Sequence, residues 1–201
     1  MRLLYFALNV LFQYTIRLFY KTIKMVNPPR ELMGRTIYVS NHPASFMDPL
    51  VSATLRQPIV FFMVRSDVFK TFSKPFFWMM HMLPIYRQQD GGDTKIRNKA
   101  TFQRSSEILK GGRNILIFAE GFTDDVFVRR LKPIKKGALR MGFGALEALD
   151  WKKKIYIAAV GNNYTEPNLM RSELLIATSD KICLNDYEAA YKANPTLVIN
   201  E

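Results

Sequence analysis

The chain has 201 residues, one cysteine and a formal net charge of +12. This length suits one domain with a sizeable core, and the single cysteine, Cys183, excludes a disulfide framework and a cysteine-based zinc site. The positive charge indicates an anionic partner, which would be a phospholipid surface, a phosphorylated substrate or nucleic acid.

Residues 1–26 are predicted to form one amphipathic helix, which Asn27-Pro28-Pro29 ends. A narrow polar and cationic stripe lies beside a wide apolar face, and this pattern is typical of a helix in the membrane interface. Arg17 and Lys21 argue against a simple transmembrane span, and no small-residue cleavage site follows the apolar run. The alternative is a buried helix of a soluble domain. The stripe consists of Arg2, Asn9, Gln13, Arg17, Lys21 and Lys24.

The segment from Thr36 to Pro43 is predicted to place a histidine in a turn after a strand. A β-rich run, Thr36–Ser40, leads to Asn41 and His42, and a helix is predicted from near Ser45 to about residue 56. A strand end followed by a helix N-terminus is where open α/β folds place their chemistry. His42 can act as a general base near neutral pH.

Asp48 is the candidate partner that would fix the tautomer of His42 and stabilise its imidazolium. On one continuous helix their offset would place the two residues about 240° apart, so the chain must turn between them, and Pro43 supplies a turn. Ser45-x-x-Asp48 is also a capping box, which gives Asp48 a purely structural alternative. A serine hydrolase using Ser45 is a further alternative, but no nucleophile-elbow pattern surrounds that serine.

The rest of the chain alternates strands with helices, which predicts an α/β domain with a mixed central sheet flanked by helices. A segment rich in Phe and Met, Val68–Leu83, would form core, line an acyl-chain groove or face lipid. The further predicted strands are Pro58–Val64, Asn114–Phe118 and Lys154–Val160, with edge strands at Glu173–Thr178 and Lys181–Leu184. The predicted helices are Thr94–Lys110, Gly137–Leu149 and Asp186–Lys192.

The segment Asn-His-Pro-Ala-Ser-Phe-Met-Asp-Pro, from Asn41 to Pro49, resembles the first signature block of the glycerolipid acyltransferases of the 1-acylglycerol-3-phosphate acyltransferase type. Leu83-Pro-Ile-Tyr-Arg87, Ala119-Glu-Gly-Phe-Thr123 and the run Ala158–Tyr164 resemble the second, third and fourth blocks, in the expected order. The sequence departs from the family pattern by five residues between His42 and Asp48, where four are usual. Alanines 119 and 159 stand where the family commonly has proline. The resemblance covers roughly residues 36–165.

The resemblance implies roles for individual residues. His42 would deprotonate the acceptor hydroxyl and Asp48 would orient it. Substrate would be bound by Arg87, Glu120, Gly121, Thr123, Lys135 and Lys136. An arginine such as Arg87 suits phosphate because its planar fork binds phosphate oxygens in pairs. The alternatives are a surface arginine at 87, a salt bridge at Glu120 and a solvated basic loop at 135–136.

The resemblance implies a membrane-associated enzyme, at the cytoplasmic face of a bacterial inner membrane. It would transfer an acyl group from a thioester to a lysophospholipid. The thioester donor would be acyl-CoA or acylated acyl carrier protein. The first acceptor expected is lysophosphatidic acid, which would give phosphatidic acid. No covalent acyl-enzyme, metal or bound cofactor is expected. Another acceptor, such as a lyso-aminolipid, and a non-enzymatic basic membrane-binding module are the alternatives. Nucleic acid is disfavoured as a partner because the aromatic residues cluster apart from the basic ones.

The predicted organisation is a membrane helix over residues 1–29 and an acyltransferase domain over residues 30–201. Because the sequence stops soon after Pro195, it is expected to be a shortened form of a longer chain.

Overall fold

The computed structural model describes residues 2–28, 34–54, 60–66, 81–86, 94–120, 127 and 130–200. Its strands are β1 (Thr22–Val26), β2 (Thr36–Ser40), β3 (Val60–Arg65), β4 (Met82–Ile85), β5 (Asn114–Phe118), β6 (Tyr156–Tyr164), β7 (Glu173–Thr178) and β8 (Ile182–Cys183). Its helices are α1 (Arg2–Phe19), α2 (Met47–Thr54), α3 (Thr94–Lys110), α4 (Gly137–Glu147), α5 (Glu188–Ala193) and α6 (Pro195–Asn200), with a 3₁₀ turn over Leu184–Tyr187.

The described strands form one mixed sheet in the order β1-β7-β6-β2-β5-β3-β4, and β8 also pairs with β6. Strands β6, β2, β5, β3 and β4 run parallel to one another, whereas β7 and β8 run antiparallel to β6. The carboxyl ends of β2, β5 and β6 therefore meet at one edge of the sheet. The predicted fold class, a mixed central sheet flanked by helices, is confirmed.

Helices cover both faces of this sheet. Successive residues of β2 point to opposite faces, so Ile37 joins a core with Leu109 of α3 and Met141 of α4. Tyr38 joins a second core with residues of α1 and α2, which include Ile16 and Val51. Burial on both faces explains why the central strands are almost continuously apolar.

The N-terminal segment differs from the predicted single helix over residues 1–26. The helix ends at Phe19, and Thr22–Val26 forms β1, which pairs in parallel with β7. The physical reason is that Thr22, Ile23 and Val26 are β-branched and fit a pleated strand better than a helix. Because β7 pairs with β1 on one side and with β6 on the other, residues 173–178 form an internal strand and not the predicted edge strand.

Several other boundaries agree closely with the sequence pattern, since β5, β7 and α3 have the predicted bounds. Strand β6 runs on to Tyr164, four residues beyond its predicted end. Helix α2 begins at Met47 because Ser45 adopts a φ of 46°, outside the extended geometry of an N-cap residue. The segment Val68–Leu83 lies almost wholly outside the described residues. Among the helices that the structure describes, none is both long enough and apolar enough to cross a bilayer.

Two glycines of α4 offer a matched test of core packing. A Cβ at Gly142 would lie 2.3 Å from the Cδ1 atom of Leu184, and a Cβ at Gly144 would have no neighbour within 4 Å. Alanine favours a helix interior over glycine by about 1 kcal/mol. We therefore expect Gly144→Ala to raise the free energy of unfolding by about that amount. The free energy of unfolding of Gly142→Ala should be at least about 1 kcal/mol lower than that of Gly144→Ala, because the added methyl group would meet the buried Leu184. Urea unfolding of both variants checks this, and equal gains would contradict the packing argument.

Candidate active site

The candidate site lies where three neighbouring strands end. Ser40 pairs with Phe118 of β5 and with Val160 of β6. His42 and Glu120 each follow this paired row by two residues. The parallel register of the sheet therefore brings together residues that are far apart in the sequence.

His42 and Asp48 form the predicted pair. The Nδ1 atom of His42 lies 2.9 Å from Oδ2 of Asp48, and the same oxygen accepts the backbone N–H of Ala44 at 2.7 Å. An ionised carboxylate only accepts hydrogen bonds, so Nδ1 of His42 carries the ring proton. The other ring nitrogen, Nε2, then has a free lone pair that can accept a proton from a substrate. Asp48 is fully buried, whereas the imidazole remains 19% exposed and within reach of a ligand.

The turn between the two residues makes the pair possible. The left-handed conformation of Ser45 reverses the chain after Ala44 and lets Asp48, in the first turn of α2, reach back over the turn. The capping interpretation is thus partly right, because Asp48 does accept a backbone amide, but the amide belongs to Ala44 and not to Ser45. Capping and pairing use the same carboxylate oxygen.

The imidazole is also held from its other sides. The ring of Phe118 stacks on it with centroids 4.2 Å apart and an interplanar angle of 17°. The backbone N–H of His42 donates to Oε2 of Glu120 at 3.1 Å, and Oε1 of Glu120 accepts the backbone N–H of Lys132 at 3.4 Å. Glu120 is buried, so its described contacts fix two loops and thereby the backbone of His42.

A buried tyrosine completes the surroundings of Asp48. The hydroxyl of Tyr164 donates to Oδ1 of Asp48 at 2.8 Å. Burial, followed by the charge of Asp48, raises the pKa of Tyr164 well above its ordinary value. The ring of Tyr20, at the end of α1, lies 5.9 Å from that of Tyr164, and its hydroxyl donates to the carbonyl of Pro167 at 3.1 Å.

Two asparagines join the ends of β2 and β6. The side-chain amide of Asn41 donates to the carbonyl of Asn162 at 2.9 Å, and its oxygen accepts the backbone N–H of Asn162 at 2.7 Å. The buried amide of Asn162 in turn donates to the hydroxyls of Ser40 and Ser52. These hydrogen bonds fix the end of β2 and therefore the position at which the turn that contains His42 begins.

Sequence reasoning assigned no role to Tyr164, Asn162 or Tyr20. A signal was present for the first two, because they occupy the same alternating positions of β6 as the buried Ala158 and Val160. Polar residues in such positions need buried partners. No comparable signal marked Tyr20, which lay within a segment predicted to be wholly helical.

Of the other predicted site residues, the structure describes Lys135 and Lys136. The backbone N–H of Lys135 donates to the carbonyl of Ala119 at 2.8 Å, which anchors the exposed basic segment beside the end of β5. The ammonium of Lys136 contacts the side-chain oxygen of Asn200 in α6. Arg87, Gly121 and Thr123 lie outside the described residues. Among the residues that are described, no cluster of three or more His, Cys, Asp or Glu side chains could hold a metal ion.

The second histidine lies away from this site. His81 precedes β4 and so falls at the amino-terminal edge of the parallel strands, opposite His42. Its ring lies 4.5 Å from that of Phe61. Burial, followed by the charge of Arg113, lowers the pKa of His81 below its ordinary value. His81 thus provides a natural control for experiments on His42.

Comparison with known proteins identifies the family of this chain. The model of the acyltransferase family matches residues 21–161, a segment that contains His42, Asp48 and Glu120. The chain therefore belongs to the acyltransferase family. Its structure is similar to the crystal structure of the 1-acyl-sn-glycerophosphate (LPA) acyltransferase PlsC from Thermotoga maritima, with a TM-score of 0.57 and 13% sequence identity over 92% of this chain and 76% of that one. At this identity the likeness concerns the fold. A comparison with curated proteins finds no match.

The buried tyrosines predict how stability depends on alkaline pH. Burial and the charge of Asp48 raise the pKa values of Tyr164 and Tyr20 in the folded state. Above about pH 10, where an unfolded tyrosine loses its proton, the folded chain binds more protons than the unfolded chain, so the free energy of unfolding falls as pH rises. We expect Tyr164→Phe to reduce this fall by up to about 1.4 kcal/mol per pH unit. Urea unfolding between about pH 9 and 11 tests this, and the same slope in both proteins would contradict it.

Proposed function

We propose that this protein transfers an acyl group from a thioester to the free hydroxyl of a lysophospholipid, and that lysophosphatidic acid is the first acceptor to test. The observation that carries the proposal is the His42–Asp48 pair, at 2.9 Å, inside the segment that matches the acyltransferase family. The similar fold of an enzyme named as an LPA acyltransferase supports this choice of acceptor.

In the proposed reaction, Nε2 of His42 takes the proton of the acceptor hydroxyl. The resulting alkoxide attacks the thioester carbonyl carbon, and the tetrahedral intermediate collapses as the carbon–sulfur bond breaks. The imidazolium then returns its proton to the leaving thiolate. Asp48 stabilises the imidazolium in between. General base catalysis of this kind contributes about 10²- to 10⁴-fold, and no acyl-enzyme forms.

The oxyanion of the intermediate requires hydrogen-bond donors. In the turn after β2, the amide of His42 donates to Glu120 and the amide of Ala44 donates to Asp48, while Pro43 has no N–H. We therefore propose the amide of Ser45 as one oxyanion donor, and Gly121 as the source of a second.

The remaining sequence-based assignments complete the proposal. Arg87 and the exposed basic segment with Lys135 and Lys136 would bind the phosphates of the acceptor or donor, and Thr123 would contribute to substrate binding. The donor would be acyl-CoA or acyl carrier protein, and no bound cofactor is required. The enzyme would work at a membrane surface on the cytoplasmic side, where α1 would lie in the interface. A lyso-aminolipid acceptor remains the alternative substrate.

The central test replaces each of the two histidines. We expect His42→Ala to lower the rate of acyl transfer by at least about 10²-fold, because the variant lacks the imidazole that is proposed to accept the hydroxyl proton. Purified protein in detergent would receive a labelled acyl thioester and a panel of lysolipids that begins with lysophosphatidic acid. Product is separated by thin-layer chromatography.

His81→Asn is the matched control, because asparagine tolerates the positive φ of position 81, and its rate should stay near that of the wild type. Equal rates in wild type and His42→Ala would remove His42 from the mechanism. Product formed only with lyso-aminolipids would replace the proposed acceptor. Absence of product with every lysolipid and donor would overturn the proposed function.

Tyr164 should act as a positioning residue. Tyr164→Phe removes the hydroxyl that donates to Oδ1 of Asp48 and leaves the ring in place. A hydrogen bond to a charged group contributes about 1.5–3 kcal/mol, so we expect kcat to fall by about 10-fold or more while KM for the acceptor stays within about twofold. Steady-state kinetics of the variant checks this. A change confined to KM would place Tyr164 in acceptor binding instead.

A further inference from the structure

The outward face of α1 is apolar. Leu11, Tyr14 and Leu18 are exposed and fall within an arc of about 60° at 3.6 residues per turn. Ile16 lies on the opposite side of the helix and is buried in the core with α2 and the sheet. A helix on a protein surface normally turns its polar side towards solvent, so this helix has the reverse arrangement.

The polar residues of α1 occupy its flank and bond to one another. The side chain of Gln13 donates to Asn9 at 2.7 Å, and Arg17 donates to Gln13 at 3.4 Å. These groups therefore satisfy one another along a single line of the helix. They leave the outward stripe to apolar side chains.

A second element continues this stripe, namely the loop between β6 and β7. The backbone N–H of Arg171 donates to the carbonyl of Phe19 at 2.6 Å, and the N–H of Lys21 donates to the carbonyl of Ser172 at 2.9 Å. These two hydrogen bonds attach the loop to the end of α1.

Large apolar side chains are exposed on both sides of this junction. Leu18 of α1 is 76% exposed, and Leu169 and Met170 of the loop are 61% and 62% exposed. Two adjacent apolar residues this exposed at a loop tip are unfavourable in water. They suit a partner that would take them out of water.

The charge around this surface indicates which partner that is. The first 30 residues contain five basic residues and no acidic one. Arg17 and Lys21 are exposed beside the stripe, and Arg171 is exposed beside the loop tip, where Glu166 and Glu173 are the nearby acids. Apolar side chains bordered by cations match the interface of an anionic bilayer, in which the apolar groups enter the acyl boundary and the cations meet the headgroups.

We propose that the loop residues Leu169 and Met170 extend the apolar face of α1 and enter the interface of an anionic lipid bilayer beside it. The choice of lipid over protein rests on the proposed function, in which the acceptor is a lipid. The loop follows Tyr164 directly, and Tyr164 donates to Asp48. The same surface thus holds the protein on the membrane at the end of the strand that supports the candidate base.

The test measures binding to vesicles without any substrate. Wild type would be compared with the double variant Leu169→Ser/Met170→Ser, using flotation with vesicles of phosphatidylcholine and phosphatidylglycerol. We expect the partition coefficient to fall roughly tenfold or more. The matched control is Ile182→Ser/Leu197→Ser, which removes two side chains that are 51% and 52% exposed elsewhere on the protein. Its binding should equal that of the wild type.

A second measurement guards against a folding defect. Met170→Trp should show fluorescence quenching by brominated lipids, whereas Leu197→Trp should not. Equal partition of wild type and the loop variant, or no quenching at position 170, would overturn the proposal. So would equal binding to vesicles of phosphatidylcholine alone, or a loop variant that converts a dimer to a monomer in lipid-free sedimentation. Vesicle binding without acyl transfer would count against the proposed function only, and acyl transfer without vesicle binding would count against this surface only.

Discussion

The buried carboxylate of Asp48 is the group on which the candidate site depends. It accepts from the imidazole of His42, from the amide of Ala44 and from the hydroxyl of Tyr164. A charge without such partners would be very costly in the protein interior. The three donors make the ionised form tolerable. Two of them come from the turn after β2, and the third comes from the end of β6. Loss of one of them would weaken the placement of the others, because they share the two oxygens of one group.

The sheet supplies the geometry that this carboxylate needs. Parallel pairing aligns Ser40, Phe118 and Val160 in one row, and the chain leaves the sheet beyond that row with His42 and Glu120. Phe118 then stacks on the imidazole, and Glu120 holds its backbone. The orientation of the base thus depends on the register of three strands, which a local loop alone could not fix. The core beneath the site contains residues from Ile16 to Ile176.

Sequence patterns located the pair and the sheet but not every contact. The run 114–118 and the block around His42 were predictable because burial on both faces and turn chemistry leave strong local signals. The end of α1 was not, because the amphipathic helical period continues through Thr22 and Ile23 and competes with their β-branched preference for a strand. Pairing of β1 with β7 favours the strand. The contacts of Tyr20 and Glu120 were not predictable either. Both residues contact residues that are distant in the sequence, and local composition does not encode such contacts. The contacts of the acceptor with Arg87 stay predictions.

The pairing of β1 with β7 has a consequence for how the chain folds as it is made. Thr22 pairs with Glu173, roughly 150 residues later, and at about 5–20 residues per second a ribosome needs roughly 8–30 s to cover that interval. During this time α1 has emerged, and the strand that will fix its end has not. The buried face of α1, which carries Ile16, therefore has no sheet to pack on until most of the domain has been made. In that order of events, the last steps of folding join the two ends of the chain, and α1 reaches its final place only when β7 is available.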